Sequence, residues 1–343
     1  MTAFWNESDF DDHEQVVFVR DAASGLSGII AIHSTHLGPA AGGTRFWHYA
    51  DPASGMRDAL RLSRGMSYKN AMAGLPAGGG KAVILADANR TKTPEMLAAF
   101  ARAVEGLGGK YITAQDVGMS QDDMVSLSQH TSHVAGLPGQ GGDPGPYTAR
   151  GVYLGIKAAA KRALGTNDLK GVRVAVQGVG SVGGGMARYL AEDGAQLILS
   201  DVNHGRAAAL SEELGATIAG TDEILGIEAD IVSPNALGAT LNERSIDGLK
   251  AKVVAGGANN QLATGTEGKL LQERGILYAP DYVINAGGII NVLRHIDNAG
   301  DGEINARIDR IPHLLEQVWQ ESESTGETPD VVADKMAQRL IGR

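Results

Sequence analysis

Residues 173–201 constrain what this chain can fold into more than any other stretch. The run RVAVQG (173–178) is short, apolar and rich in β-branched residues, so it reads as a strand. It closes on Gly178-Val179-Gly180-Ser181-Val182-Gly183, a G-x-G-x-x-G. MARYLAEDG then reads as a helix stopping at Gly194, and QLILSD (196–201) as a second strand ending at Asp201. Each part has a physical task. Gly178 permits the tight turn, Gly180 lets a pyrophosphate approach the backbone, and Gly183 lets helix and sheet pack closely. The helix start offers unpaired N–H groups and a positive dipole end. Asp201 can accept hydrogen bonds from a ribose diol and would repel a 2′-phosphate, which favours NAD over NADP. A lone G-x-G-x-x-G says little in a chain with 47 glycines. A bland glycine turn, however, does not need an acid at the end of the next strand.

At 343 residues the chain is long enough for two domains and two cores. Its net charge of −10 argues against nucleic acid or an anionic membrane as partner. It has no cysteine, which excludes disulfides, thiolate catalysis and Cys-ligated metal. The histidines show no ligand spacing, so no metal is expected. No apolar run reaches membrane-spanning length. The first residues are acidic and lack the basic start of a signal peptide, so a cytoplasmic location is expected.

Residues 1–14 read as a solvated acidic lead-in. VVFVRD (16–21) and GIIAIHST (28–35) read as a hairpin around the turn AASG, and HLGPAAGGTR (36–45) as a glycine loop. Residues 55–66 read as a helix with Met56, Leu60 and Met66 on one side. KAVILAD (81–87) and YITAQD (111–116) read as strands, and Thr93-Pro94-Glu95 as a capped helix start between them. The densest Gly/Pro cluster, 136–147, reads as a bent loop and domain junction. A helix over 150–164 follows. Strands at 230–236, 252–258 and 275–281 continue an α/β alternation that predicts a mostly parallel sheet. Ile304, Ile308, Ile311, Leu315 and Val318 follow helical spacing, and Pro312 is expected to kink that run. A last helix starts at Thr328-Pro329.

The first half holds polar residues that packing does not call for. Lys69 ends the first helix, and Gly78-Gly79-Gly80-Lys81 opens a buried strand. Burying a lysine without a partner is costly. On its own Lys81 reads more readily as a surface lysine on a turn. Together, Lys69, Lys81 and Asp116 point to a site, because a carboxylate can satisfy two ammonium groups. Gly42 and Gly43 could offer free N–H groups to a carboxylate.

The stretches GPAAGGTR, SYKNAMAGLPAGGGKAVI, YITAQDVG, GVGSVG, GANNQL and APDYVINAGGIINV occur in that order. With them the chain, over about 14–320, resembles the glutamate/leucine/phenylalanine/valine family of amino acid dehydrogenases, its leucine-type members most of all. The resemblance implies two α/β domains with a cleft between them. A substrate-binding domain with a mixed sheet spans 1–145, and a Rossmann NAD-binding domain spans 146–324. The helix at about 325–343 packs back on the first. It implies Lys81 and Asp116 as the catalytic pair. Lys69 binds the substrate α-carboxylate with backbone at Gly42 and Gly43. Thr148 bonds the nicotinamide carboxamide, and Asn259 holds substrate or cofactor. Gly178, Val179, Gly180, Ser181, Val182, Gly183 and Asp201 bind the dinucleotide. A neutral lysine base is needed, and a second ammonium (Lys69) with a water-poor site would depress the Lys81 pKa. A homo-oligomer is implied as well.

The resemblance places the side-chain pocket at Ala41, Met66, Ala114, Ile289 and Val292. None is charged, so an apolar amino acid (leucine, valine, isoleucine) fits and glutamate does not. Leucine-type members carry leucine where Ala41 stands. The smaller side chain widens the pocket, and a few methylenes discriminate by only about 1–3 kcal/mol. A phenylalanine or broad-range enzyme therefore stays open, as do a primary amine in place of ammonia and a silent NAD-binding sensor.

Overall fold

The computed structural model describes Trp5, Glu7 and residues 9–139 and 142–343. Residues 1–4, 6 and 8 of the acidic lead-in, and 140 and 141 of the Gly/Pro loop, lie outside the described residues. The chain divides into two compact units. One comprises Met1–Gly142, Ile290–Gly300 and Ala337–Arg343, the other Asp143–Ile289 and Asp301–Met336.

The first unit runs β1 (Gln15–Asp21), β2 (Leu26–Ser34), β3 (Ala40–Trp47), α1 (Pro52–Met72), β4 (Gly78–Leu85), α2 (Pro94–Glu105), β5 (Tyr111–Gln115) and α3 (Gln121–Ser128). Its five strands form a mixed sheet in the order β1-β2-β4-β3-β5. β1/β2 and β2/β4 are antiparallel, whereas β3 runs parallel to β4 and β5. The strand period of two sorts its residues onto two faces. Ile29, Ala31 and Val83 pack on Ala59 and Leu60 of α1. Ile30, Ile32, Phe46 and Ile84 join Phe100 of α2 and Met124 and Leu127 of α3. α2 starts as its sequence predicts: the Thr93 side chain accepts a hydrogen bond from Met96 N–H, with Pro94 in the first turn.

The stretch 36–45 corrects the loop expectation. From Ala40 it is the central parallel strand β3. Glycine weakens an isolated strand, but here both flanks are paired and the neighbouring backbone leaves no room for side chains. A Cβ on Gly42 would lie 1.9 Å from the Gly80 carbonyl oxygen.

The second unit contains α4 (Gly145–Leu164), β6 (Arg173–Gln177), α5 (Ser181–Glu192), β7 (Gln196–Ser200), α6 (His204–Leu214), β8 (Thr217–Ile218) and β9 (Ile231–Pro234). There follow α7 (Glu243–Gly248), β10 (Val253–Val254), α8 (Glu267–Glu273), β11 (Leu277–Tyr278) and α9 (Asp281–Ile284). α10 (Gly287–Val292) carries the chain to Ile290 of the first unit; α11 (Asp301–Ile308), α12 (Ile311–Thr325) and α13 (Pro329–Leu340) as far as Met336 complete the second unit, and Ala337–Arg343 belong to the first. The sheet is wholly parallel, β11-β10-β9-β6-β7-β8, so the strand order reverses beside β6. Ligands of such sheets bind outside the strand ends at this reversal. Pro312 does not kink one helix. α11 stops at Ile308, and Pro312 lies in the first turn of α12, where its missing N–H costs nothing. No helix among the described residues is long and apolar enough to cross a membrane.

Two buried histidines hold α1, His33 from β2 and His13 from the segment ahead of β1. His33 Nδ1 meets Ser67 Oγ at 2.8 Å, and His13 Nε2 meets Ser63 Oγ at 2.9 Å. Burial, helped by Arg343 and the neighbouring His13, lowers the His33 pKa to about 4, although Asp11 beside it pulls the other way. His13 is lowered too, chiefly by burial. Because an unfolded histidine titrates near 6.5, the neutral native side chain contributes stability in full above that pH. On acidification the unfolded state takes the proton first, so stability falls. His33 alone should remove about 2 kcal/mol by pH 5. Melting curves from pH 7.5 to 5 should show this decline, and His33→Gln should flatten it. An unchanged slope in that variant would refute the assignment.

Candidate active site

Three adjacent strands of the first unit build the polar cluster. Lys81 stands in β4, Gly43 in β3 and Ala114 in β5, with Gly43 opposite Ala114. β3 pairs with β4 at Ala41–Gly79 and again at Thr44–Ala82, which leaves Gly42 and Gly43 beside Gly80 and Lys81. Asp116 follows the last residue of β5. Lys81 Nζ reaches Asp116 Oδ2 at 2.8 Å, so the pair spans the central strand over a residue that has no side chain. A Cβ on Gly43 would lie 2.8 Å from Asp116 Cβ and 2.7 Å from the Gln115 carbonyl oxygen. Gly79 packs equally hard against α1, where its Cβ would lie 2.0 Å from Ser67 N. The glycines thus serve close approach of chain to chain, which the glycine-loop reading of 36–45 did not foresee.

α1 brings the other members. Met66 Cγ is 3.0 Å from a Cβ built on Gly42. Lys69 comes one turn later, in the last turn of α1, where a cation favours the negative helix end. Asn70 Nδ2 donates to the carbonyls of Gly78 (2.6 Å) and Ala41 (3.3 Å) and locks α1 to β3 and β4. Ala41 is fully buried and Ala114 nearly so.

Lys81 is held below the ordinary lysine pKa. Burial is the leading cause, Asp116 opposes it, and the Arg45 guanidinium adds to it. Arg45 is thus a cation acting on Lys81 that the sequence reading did not name. For Asp116, burial pushes upward, but Lys81 and then Arg45 outweigh it and keep the carboxyl below its usual range. The result is a paired, water-poor ammonium that can lose its proton more easily than a surface lysine.

In the second unit the turn after β6 has the form the fingerprint requires. Gly178 has φ +86°, and its Cβ would lie 2.9 Å from Ala236 Cβ. A Cβ on Gly183 would lie 2.0 Å from the Gly178 carbonyl oxygen, so α5 can approach β6 only without one. A Cβ built on Gly180 would meet nothing beyond its own stretch of chain nearer than Arg206 Nη1 at 3.9 Å, which leaves open space at the start of α5. Val179 N–H donates to Asp201 Oδ2 (2.9 Å) and Asn203 N–H to Asp201 Oδ1 (2.8 Å), so the acid also fixes the turn. Val182 packs on Gly257, and the Ser181 hydroxyl donates to Asp143. An open glycine turn, a helix N-terminus and a strand-end carboxylate fit a dinucleotide.

Comparison with known proteins settles the kinship. Residues 13–133 match the model of the Glu/Leu/Phe/Val dehydrogenase dimerisation domain, and residues 199–337 that of glutamate/leucine/phenylalanine/valine dehydrogenase. The leucine dehydrogenase of Bacillus subtilis is 48% identical over 97% of this chain and 92% of its own length. The chain belongs to this dehydrogenase family. The L-tryptophan dehydrogenase of Nostoc punctiforme is 43% identical over 96% of this chain and 93% of its own length. A crystal structure of L-tryptophan dehydrogenase from Nostoc punctiforme, 42% identical, superimposes with a TM-score of 0.87, covering 96% of each chain. Members of the family are pyridine-nucleotide-dependent dehydrogenases.

The remaining family positions fall as follows. Thr148 lies in the first turn of α4 and donates to the Pro144 carbonyl at 3.0 Å, so its hydroxyl has acceptor capacity left. Ile289 and Val292 lie one turn apart on α10, both half-buried. Asn259 Oδ1 accepts from Asn285 Nδ2 at 2.8 Å. Asn285, at the C-terminal end of α9, and Asn235, whose Oδ1 accepts from Gly257 N–H at 2.8 Å, were not singled out in the sequence. Their stretches, SPNALG and VINAGG, show only an asparagine beside small residues, which is common in turns. Arg45 was also missed, although it stands directly after Gly42-Gly43-Thr44. No group of three or more histidine or acidic side chains among the described residues could hold a metal.

Proposed function

We propose that this chain catalyses the reversible oxidative deamination of an apolar L-amino acid, of the leucine, valine or isoleucine kind, to its 2-oxo acid and ammonia. The single observation behind this reading is the Lys81–Asp116 pair, joined across glycine in a buried sheet. NAD is the proposed cofactor; when bound, it accepts at nicotinamide C4 the hydride that leaves the substrate Cα. Lys69, with backbone at Gly42 and Gly43, takes the α-carboxylate. Asp116 takes a proton from the substrate ammonium, since only a neutral amine can become an iminium by hydride loss. Neutral Lys81 then takes a proton from the water that adds to the iminium carbon and passes it to solvent. Asp116 returns its proton to the departing amine, and Lys81 takes the hydroxyl proton as the carbonyl forms. Amino acid, oxidised cofactor and water thus yield 2-oxo acid, ammonium, reduced cofactor and one proton.

The uncharged set Ala41, Met66, Ala114, Ile289 and Val292 supports an apolar side chain. Ala41 also supports a second reading, an aromatic substrate, because it makes room. Initial rates of NADH formation with leucine, valine, isoleucine, phenylalanine, tryptophan and glutamate separate the two. An aliphatic substrate should lead and glutamate should fail. Leadership of an aromatic one would mean that Ala41 decides the pocket, and no turnover of any would leave the sensor reading. NAD should exceed NADP by at least about tenfold in kcat/KM, because Asp201 faces the ribose. Asp201→Ser should narrow that gap, since Arg206, 3.5 Å from Asp201, then meets the 2′-phosphate unopposed. Equal use of both cofactors by the wild type would refute the role given to Asp201. A homo-oligomer formed through the dimerisation domain and a cytoplasmic setting complete the proposal.

A further inference from the structure

The Lys81–Asp116 pair is one end of a longer chain of alternating charge. Arg45 stands in β3, two residues beyond Gly43. Its Nε donates to Asp116 Oδ2 at 3.1 Å, the same oxygen that takes Lys81 Nζ at 2.8 Å. Its Nη1 donates to Asp58 Oδ2 at 2.7 Å. Asp58, on α1, is held in turn by the Tyr49 hydroxyl at 2.6 Å and by Arg61 at 3.0 Å. The side chains of Arg45 and Asp58 are 23% and 12% exposed, so solvent screens this contact only partly. A guanidinium is planar and stays charged, and bonds to two carboxylates along different edges fix its plane.

We propose that Arg45 is a positioning residue for the deamination: anchored by Asp58, it aims the Asp116 carboxylate at Lys81 and keeps a permanent positive charge beside it. The proposal rests on the reading of Lys81 and Asp116 as the proton-handling pair. In that cycle Lys81 must at one stage be neutral. The ammonium that balances Asp116 is then gone, and a poorly solvated carboxylate left alone would capture a proton and turn away. Arg45 cannot lose its proton, so Asp116 keeps a partner in both states of the lysine. The same charge repels the Lys81 ammonium and helps it to deprotonate. Arg45 from β3 acts on both members of the pair, Asp58 from α1 acts on Lys81, and Asp116 acts on Tyr111 of β5, while Arg61 and Tyr49 hold Asp58. Among them Arg45 is the one ion-paired to Asp116, on the same oxygen that takes Lys81.

The test compares wild type with Arg45→Met, Arg45→Lys and Asp58→Asn, using the substrate and cofactor that the wild type turns over best. Arg45→Met should lower kcat by about thirtyfold, with KM for the amino acid within about threefold and the Kd for NADH unchanged. Its acidic limb of kcat/KM against pH should move up by at least about half a unit, because Lys81 keeps its proton longer once the repulsion is gone. Arg45→Lys should restore the limb but only part of kcat, since lysine carries the charge without the fork. Asp58→Asn should lower kcat less than Arg45→Met. A merely structural arginine would lower the melting temperature and leave the limb where it was, and that result overturns the proposal. A rise in KM alone overturns it too, by making Arg45 a substrate ligand. If Arg45→Met does not fold, an Asp58→Asn enzyme with wild-type kcat and limb overturns it. A wild type that oxidises no amino acid overturns the functional reading and this proposal together, whereas an active wild type with an unmoved limb in Arg45→Met overturns this proposal alone.

Discussion

Lys81→Met should lower kcat for amino acid oxidation by about a thousandfold while NADH still binds with wild-type affinity. General acid–base groups contribute roughly a hundred- to ten-thousandfold, and Lys81 is assigned two proton transfers in the cycle. Methionine keeps the length of the side chain and removes its charge, so the strand packing survives. Truncating one partner of a buried ion pair often costs about 3–5 kcal/mol, because the other charge is stranded. Here Asp116 retains Arg45 at 3.1 Å, and the loss should be well below that range. Steady-state rates, a fluorescence titration with NADH and a melting curve read the three effects separately. In the wild type, the acidic limb of kcat/KM should titrate below the ordinary lysine pKa of about 10.4, since burial and Arg45 both disfavour the ammonium. A Lys81→Met enzyme with more than about a tenth of wild-type kcat would contradict the proton-transfer scale used here.

Gly43→Ala should be nearly as damaging, through space alone. The backbone at Gly43 is not in the left-handed region, so an alanine is not strained by its own φ and ψ. Its methyl would stand 2.7 Å from the Gln115 carbonyl oxygen and 2.8 Å from Asp116 Cβ, and neither is the free end of a flexible chain. β5 must move away from β3, and Asp116 moves with it. A displacement of about 1 Å in a reacting group can cost about a hundredfold in rate. Overpacking of this kind also costs about 1–3 kcal/mol of stability. The rate should therefore fall much further than the melting temperature accounts for, with NADH affinity unchanged. A Gly43→Ala enzyme with wild-type kcat would mean that the Lys81–Asp116 contact does not depend on the bare strand between them.

The sequence by itself determined the features encoded over a few neighbouring residues. The strand, glycine turn and helix of 173–192 were legible because each is set by local backbone chemistry: a β-branched run, a glycine that takes φ +86°, and an open helix start. The Thr93 cap and the hairpin of β1 and β2 were legible on the same ground. Lys81 and Asp116 could be named as a pair because a lysine at the head of a buried strand demands a counter-charge, and the family motifs supplied one.

Only the tertiary structure decided what Gly42 and Gly43 are for. Alone they look like a flexible loop. Between β4 and β5 they are a strand with its side chains removed, so that one charged group can reach another across it. Pro312 is similar: the periodic run around it hides a break that the start of α12 makes plain. Arg45 and Asp58 lie thirteen residues apart and carry no joint signal in the chain. Asn285 and Asn259 are separated by twenty-six. Such partners are chosen by which strands and helices lie side by side, and that order is set by packing over the whole sheet. Backbone preference acts over a turn or a strand, whereas the charge network around Lys81 forms only once β3, β4, β5 and α1 are in register.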